Sequence, residues 1–138
     1  MTIGFIKGCF DMFHIGHLNL LRNARLSCDR LVVGVVSDKN MIECKRVHPV
    51  ICENERLEII RAIRHVDEAY LSRTYYAGIE DWRLYHFDKW YNGSDWKGSH
   101  PNKKALESLG VQVVILPYTT HISSTKLREK CREKRRDS

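Results

Sequence analysis

The sequence predicts an α/β fold: a central parallel sheet of about five strands with helices on both faces. Short apolar, β-branched runs recur at Ile3 to Ile6, Leu31 to Val36, Val66 to Leu71 and Val111 to Leu116, with a weaker one at Lys89 to Tyr91. Segments with apolar residues at helical spacing lie between them. Apolar strands of this kind are buried on both faces, and they are joined by right-handed helical crossovers.

The first strand runs toward Gly8, where an unusual turn is expected, and a helix opens near Ile15 or Gly16 with Leu18, Leu21 and Ala24 on one face. The second strand leads into a polar loop that carries Lys45, Arg46 and Pro49. Leu57, Ile60 and Ile63 form the inner face of the next helix, which precedes the third strand. After the weak fourth strand, Pro101 opens the segment before a helix around Ala105 to Leu109, terminated by Gly110. Pro117 ends the last strand, and Ser123, Ser124 and Thr125 read as the N-cap region of a closing helix. In sheets of this class ligands bind at the carboxyl ends of the strands.

A chain of 138 residues, 43% hydrophobic, can bury one core and is too short to divide comfortably, so one globular domain over 1–138 is expected. The first ten residues do not resemble a secretory leader, and no segment reaches the roughly 18 apolar residues of a membrane span. A cytoplasmic protein without membrane association is expected. Cys9, Cys28, Cys44, Cys52 and Cys131 are odd in number and lack close C-x-x-C pairs, which reads as free thiols. The net charge of +6 suits anionic ligands. Seven of the 23 basic residues lie between Lys126 and Arg136, alternating with Glu129 and Glu133; this reads as a solvated helix face. Nucleic acid is not an expected partner, because no basic stripe interleaved with aromatics appears elsewhere.

Directly after the first strand comes GCFDMFHIGH, Gly8 to His17. His14 and His17 then sit at a helix N-terminus, where unpaired N–H groups and the helix dipole favour an anion. Two imidazole donors there suit a polyphosphate, and Gly16 lets a phosphate approach the backbone. A lone histidine in such a place is usually a cap, whereas two bracketing a glycine favour function. Zinc would need a third ligand, for which Asp11 is the one nearby candidate, and is not expected. A second segment, PYTTHISSTKLR, presents hydroxyls, amide N–H groups and Arg128 at another helix start, where capping and phosphate binding are compatible.

The stretch Gly8 to His17 resembles the signature of the nucleotidyltransferases whose HxGH motif follows the first strand, in the form G-C-F-D-x-x-H-x-G-H of their cytidylyltransferase branch. Ile122 to Arg128 resembles that family's I-S-S-T-x-I-R motif. NGSDWKG, Asn92 to Gly98, is similar to the GDDW segment of glycerol-phosphate cytidylyltransferases and their phosphocholine and phosphoethanolamine relatives. Glu53 to Tyr70 resembles the family's Y-E-x-R…I-R-Y-V-D-E stretch. These ordered motifs cover nearly the whole chain, which is identified as a member of the family.

The resemblance implies a Rossmann-like nucleotidyltransferase fold and transfer of CMP from CTP to a small phosphorylated alcohol, by in-line attack on the α-phosphorus without a covalent enzyme intermediate. The attacking phosphate is already anionic, so alignment and charge neutralisation carry the catalysis. His14, His17, Arg64 and Arg128 are the implied catalytic residues. Gly8, Cys9, Phe10, Asp11, Gly16, Lys45 and Asp95 join the histidines around the nucleotide, with Tyr118, Thr119, His121, Ile122, Ser123, Ser124 and Thr125 from the last motif. Arg46 and Arg73 are the expected acceptor contacts. Without the resemblance, Arg56 and Arg64 read as ordinary surface charges. Mg²⁺ is expected with the CTP phosphates, held mainly by substrate and water, and a homodimer is implied.

Two departures bear on the substrates. Tyr118-Thr119-Thr120-His121 stands where glycerol-3-phosphate enzymes start the last motif with arginine, and between Arg73 and Gly78 there is no lysine and Tyr75 replaces a tryptophan. Glycerol 3-phosphate is nonetheless the expected acceptor, on chain length and the GDDW-like segment. Glycerol 2-phosphate or another polyol or amino-alcohol phosphate, an adenylyltransferase of the same fold, and a non-catalytic nucleotide sensor are the alternatives. CDP-glycerol made this way would feed teichoic acid or capsule synthesis.

Overall fold

The structure is a computed structural model that describes residues 1–93, 100–117, 119 and 123–137, for 134–137 the backbone alone. Strands β1 (Ile3–Gly8), β2 (Arg30–Val36), β3 (Glu68–Ser72), β4 (Lys89–Gly93) and β5 (Gln112–Leu116) form a parallel sheet in the order β3-β2-β1-β4-β5. The helices are α1 (Ile15–Arg25), α2 (Asp38–Lys45), α3 (Glu53–Arg61), α4 (Ile79–Tyr85), α5 (Lys103–Ser108) and α6 (Ser124–Asp137). This is the α/β, Rossmann-like architecture expected.

Alternation along the central strands divides the core into two layers. Ile6, Leu31, Val33 and Val35 pack with Leu21 and Ala24 of α1 and Ile60 of α3. Phe5 and Val32 point the other way, against Ala77, Phe87, Trp90 and Leu106 of α5. Successive strand side chains face opposite sides, so an uninterrupted apolar run is what a two-sided sheet requires. Gly4 is where layer and strand approach most closely. A β-carbon there would lie 2.5 Å from a ring carbon of Tyr91 and 2.9 Å from the Cys28 sulfur. The Tyr91 hydroxyl is held by Ser27 at 2.8 Å, so the ring has little freedom to yield. Gly4→Ala is therefore expected to destabilise the fold by about 1–3 kcal/mol through overpacking, seen as a lower urea midpoint with the slope unchanged.

Two helices carry no legible sequence signal. Residues 38–45, expected as loop, form α2 because the Ser37 hydroxyl accepts from Asn40 N at 3.2 Å and Asp38 occupies the first turn. Met41 is its one buried residue, so no apolar stripe of helical period exists to be read. The short α4 likewise buries only Asp81, whose carboxylate accepts from Gly78 N at 3.1 Å.

The expected turn at Gly8 is displaced. Gly8 ends β1 in register with Val35, and the chain turns instead at Phe10 and Met12, whose φ values of 54° and 50° are left-handed. Such conformations cost of order 1 kcal/mol or more in residues with side chains and concentrate where function imposes a shape. Arg56 also departs from expectation: it is 1% exposed. Its guanidinium donates to the carbonyls of Cys9, Val36 and Ile51 at 2.5, 2.8 and 2.9 Å, and to Asp38 at 2.6 Å. One side chain thus ties together the loops after β1 and β2 at the carboxyl edge of the sheet. The basic run falls on α6, where residues 129–133 are exposed, in keeping with a solvated face. Among the described residues no helix is long and apolar enough to cross a membrane.

Candidate functional site

Strand order reverses between β1 and β4, and in parallel sheets the crevice at the carboxyl side of such a reversal receives ligands. A cleft of about 290 Å³ opens there. The β1–α1 loop lines it with Cys9 and Asp11, α1 with His17, α2 with Lys45, and α6 with Thr125 and Arg128. Both sequence signatures thus meet in one cavity. A second lobe of about 310 Å³ shares Lys7, Cys9, Lys45 and Tyr75 with the first and extends to Trp90, Asn92 and His100.

His14 is the N-cap of α1, and its Nδ1 accepts from Gly16 N at 3.0 Å; His17 Nδ1 accepts from His14 N at 3.2 Å. The imidazoles stack 3.8 Å apart, with Phe10 and Phe13 flanking His17. A neutral imidazole whose Nδ1 accepts must carry its proton on Nε2. Both rings are therefore Nε2–H donors at the helix start, the arrangement that favours an anion. Gly16 serves this geometry directly, since a β-carbon would stand 2.8 Å from the His14 ring.

Burial, then the neighbouring His14, pushes His17 down to about 3; burial also lowers His14. A histidine in the unfolded chain titrates near 6.5. Between those values the unfolded chain binds a proton that folded His17 refuses, so the contribution to stability is complete above about pH 6.5 and lost as the pH falls toward 3. Urea unfolding at pH 7.5 and 5.0 should show the acid loss, and His17→Gln should flatten it.

Asp11 is a structural anchor. Its buried carboxylate accepts from Val50 N and Ile51 N at 2.9 Å each and pairs with Arg128, while its carbonyl accepts from Ser124 Oγ. These contacts hold its carboxyl below the usual range against burial, which pushes the other way. Arg128 keeps a buried Nε without a partner. Ser123 accepts from Lys126 N at 3.1 Å, as a helix cap. Thr119 accepts from Asn19 at 3.0 Å beside α1.

The remaining expected contacts are dispersed. Lys45 ends α2 with its ammonium 5.7 Å above the Tyr75 ring. Arg46 is the exposed left-handed residue that closes α2. Arg73 is exposed beside Lys39 and Glu43, in a different depression. Arg64 does not join the cleft: it is exposed in the turn before β3, near Leu18 and Arg22. That turn enters β3 at its amino end, opposite the edge where β1 and β4 deliver their loops. Asp95, Tyr118, His121 and Ile122 lie outside the described residues.

Lys7 was not among the candidates, yet it borders both lobes. Its buried ammonium donates to Thr74 Oγ1 at 2.5 Å, Tyr76 O at 3.2 Å and Asp81 at 2.9 Å. Asp81 in turn accepts from Tyr70. A lysine interrupting an apolar strand just before the glycine was the available signal.

The sequence profile of the cytidylyltransferase-like family matches residues 5–130. The chain is 45% identical over 86 residues to an ethanolamine-phosphate cytidylyltransferase of Arabidopsis thaliana, covering 62% of this chain and 20% of that protein. It is 38% identical over 128 residues to the bifunctional protein HldE of Koribacter versatilis, covering 90% and 26%. The chain thus spans only about a fifth to a quarter of these relatives. A lipopolysaccharide core biosynthesis protein from Thermoplasma volcanium superposes with a TM-score of 0.72 at 26% identity, over 88% of this chain and 99% of that one. Pantothenate synthetase from Thermus thermophilus shares the fold, with a TM-score of 0.61 at 16% identity over 94% and 64%.

Proposed function

The chain belongs to the cytidylyltransferase-like family, and from that premise we propose that it transfers CMP from CTP to a small phosphorylated alcohol, with glycerol 3-phosphate the first acceptor to test. The stacked pair of Nε2–H imidazoles at the start of α1, of which His17 lines a cleft bordered by α6, carries this reading.

An oxygen of the acceptor phosphate attacks the α-phosphorus of CTP, the new P–O bond forms opposite the departing oxygen, and pyrophosphate leaves. The attacking oxygen carries no proton at neutral pH, so no base is needed. His14 and His17 donate to the oxygens on which charge accumulates. Arg128 has five N–H groups and can keep Asp11 while turning others to a phosphate. Lys45, on a long exposed stem, reaches the same volume.

No group of three His, Cys, Asp or Glu side chains that could hold a metal occurs among the described residues, and the Asp11 carboxylate is already engaged. The described residues therefore offer no cage for Mg²⁺, and the ion would be held by the triphosphate oxygens and water, neutralising their charge. Arg64 and Arg73 receive no part in this proposal, because neither borders the cleft.

The test is pyrophosphate release with Mg²⁺, with CTP or ATP paired against glycerol 3-phosphate, glycerol 2-phosphate, phosphoethanolamine and phosphocholine. Release with CTP and one acceptor supports the reading. Release with ATP alone makes the protein an adenylyltransferase, and nucleotide binding without release makes it a sensor.

A further inference from the structure

Lys7, Gly34 and Tyr70 stand in one row across β1, β2 and β3, since Lys7 is in register with Gly34 and Gly34 with Tyr70. The glycine keeps the row open: a β-carbon there would lie 3.2 Å from the Tyr70 hydroxyl. Asp81 of α4 closes it, accepting from Lys7 and Tyr70, and the Lys7 and Asp81 side chains are 3% and 4% exposed. An ion pair buried this deeply adds little net stability over apolar residues of the same volume, because both charges are stripped of water. Its contribution is a fixed position at the floor of the cleft.

The Lys7 ammonium has three N–H groups, and it meets three acceptors: Asp81, Thr74 Oγ1 and the Tyr76 carbonyl. Thr74 also donates to that carbonyl at 3.3 Å, and Ser72 Oγ donates to the Thr74 carbonyl at 3.3 Å. Both chain neighbours of Tyr75 are thus tied to β1, and Tyr75 itself borders both lobes. Its hydroxyl is in hydrogen-bonding contact with the Cys9 thiol, and its ring lies under the Lys45 ammonium. Lys45 is exposed on a flexible stem, and fixing such a side chain on a phosphate costs rotamer freedom. An aromatic face that already holds the ammonium at the cleft reduces that cost.

Resting on the transfer activity proposed above, we infer that Lys7 is a positioning residue. Its ammonium is committed to the protein, and by clamping residues 74–76 it sets the Tyr75 ring as the platform that holds Lys45 over the cleft.

The experiment measures kcat/KM for CTP by pyrophosphate release in the full chain, with the acceptor that the panel above identifies. Tyr75→Leu and the charge-free pair Lys7→Met with Asp81→Asn are each expected to lose about 10-fold, and Tyr75→Phe to stay within about threefold. In a Lys45→Ala background the same losses should shrink below about twofold, which a merely structural defect would not do. Thr74→Val removes one arm of the clamp and leaves the charges in place, so it tests the clamp even where the pair variant does not fold. It should lose about threefold, again only in the presence of Lys45. Full losses in the Lys45→Ala background, no loss in the clamp variants, or a Tyr75→Phe as impaired as Tyr75→Leu overturns the inference. Absence of pyrophosphate with every acceptor overturns the activity reading instead. Acylation of Lys45 by an N-hydroxysuccinimide ester, mapped by mass against the exposed Lys39 in the first turn of α2, then decides the inference alone. A Lys45-to-Lys39 rate ratio raised about twofold or more in both Tyr75→Leu and Thr74→Val supports it, and a ratio unmoved in either overturns it.

Discussion

Replacing His17 by alanine should lower kcat of the proposed transfer by about 10²–10³-fold while KM for CTP changes little, the signature of a donor that matters most in the transition state. The reasoning begins with geometry. His17 Nδ1 is committed to His14 N, so the proton sits on Nε2. Burial keeps the ring neutral, so it acts as a fixed dipole and not as a mobile cation. A pre-oriented donor in a partly enclosed site costs little reorganisation when charge develops, and removing one is worth about 3–4 kcal/mol. His17 also completes the cap of α1, so the alanine variant loses some stability. His17→Gln separates the two effects. A glutamine at that position can still reach back to the cap N–H, so its unfolding midpoint at pH 7.5 should approach the parent's while kcat stays depressed. Steady-state kinetics of both variants check this, and a kcat within about threefold of the parent in His17→Ala would remove the histidine from the chemistry.

Arg56→Ala should be the most destabilising single substitution proposed here, at about 3–5 kcal/mol. The guanidinium satisfies three carbonyls and one carboxylate drawn from the ends of β1 and β2 and the segment before α3. Truncation leaves buried acceptors unpaired and Asp38 without its cation. For a chain of this size the melting temperature should fall by about 10 °C or more. Lysine restores the charge and not the planar fork, so Arg56→Lys should recover only part of the loss. A fall below about 2 °C in differential scanning calorimetry for Arg56→Ala would show that the carboxyl edge is held by other contacts.

What the residues alone determined about this protein is what local chemistry determines. Strand runs at the positions of β1, β2 and β5 were legible because a two-sided sheet demands continuous apolar stretches. The histidine pair was legible because residues three apart on one helical turn must share a face and a terminus, whatever surrounds them. The α6 signature was legible for the same reason, since capping hydroxyls are read within four residues. The tertiary structure alone decided which charges are buried and what they hold. Arg56 and Arg64 lie in one segment and look alike, yet one is enclosed beside Asp38 while the other stands in solvent at the amino edge of β3. Lys7 becomes an interior cation only because the loop after β3 and the first turn of α4 place Thr74 and Asp81 against β1, more than sixty residues away in sequence. Asp11 finds Arg128 across 117 residues, a pairing that no local pattern announces. Burial and ion pairing are properties of distant segments brought together, and periodicity along the chain records nothing of them.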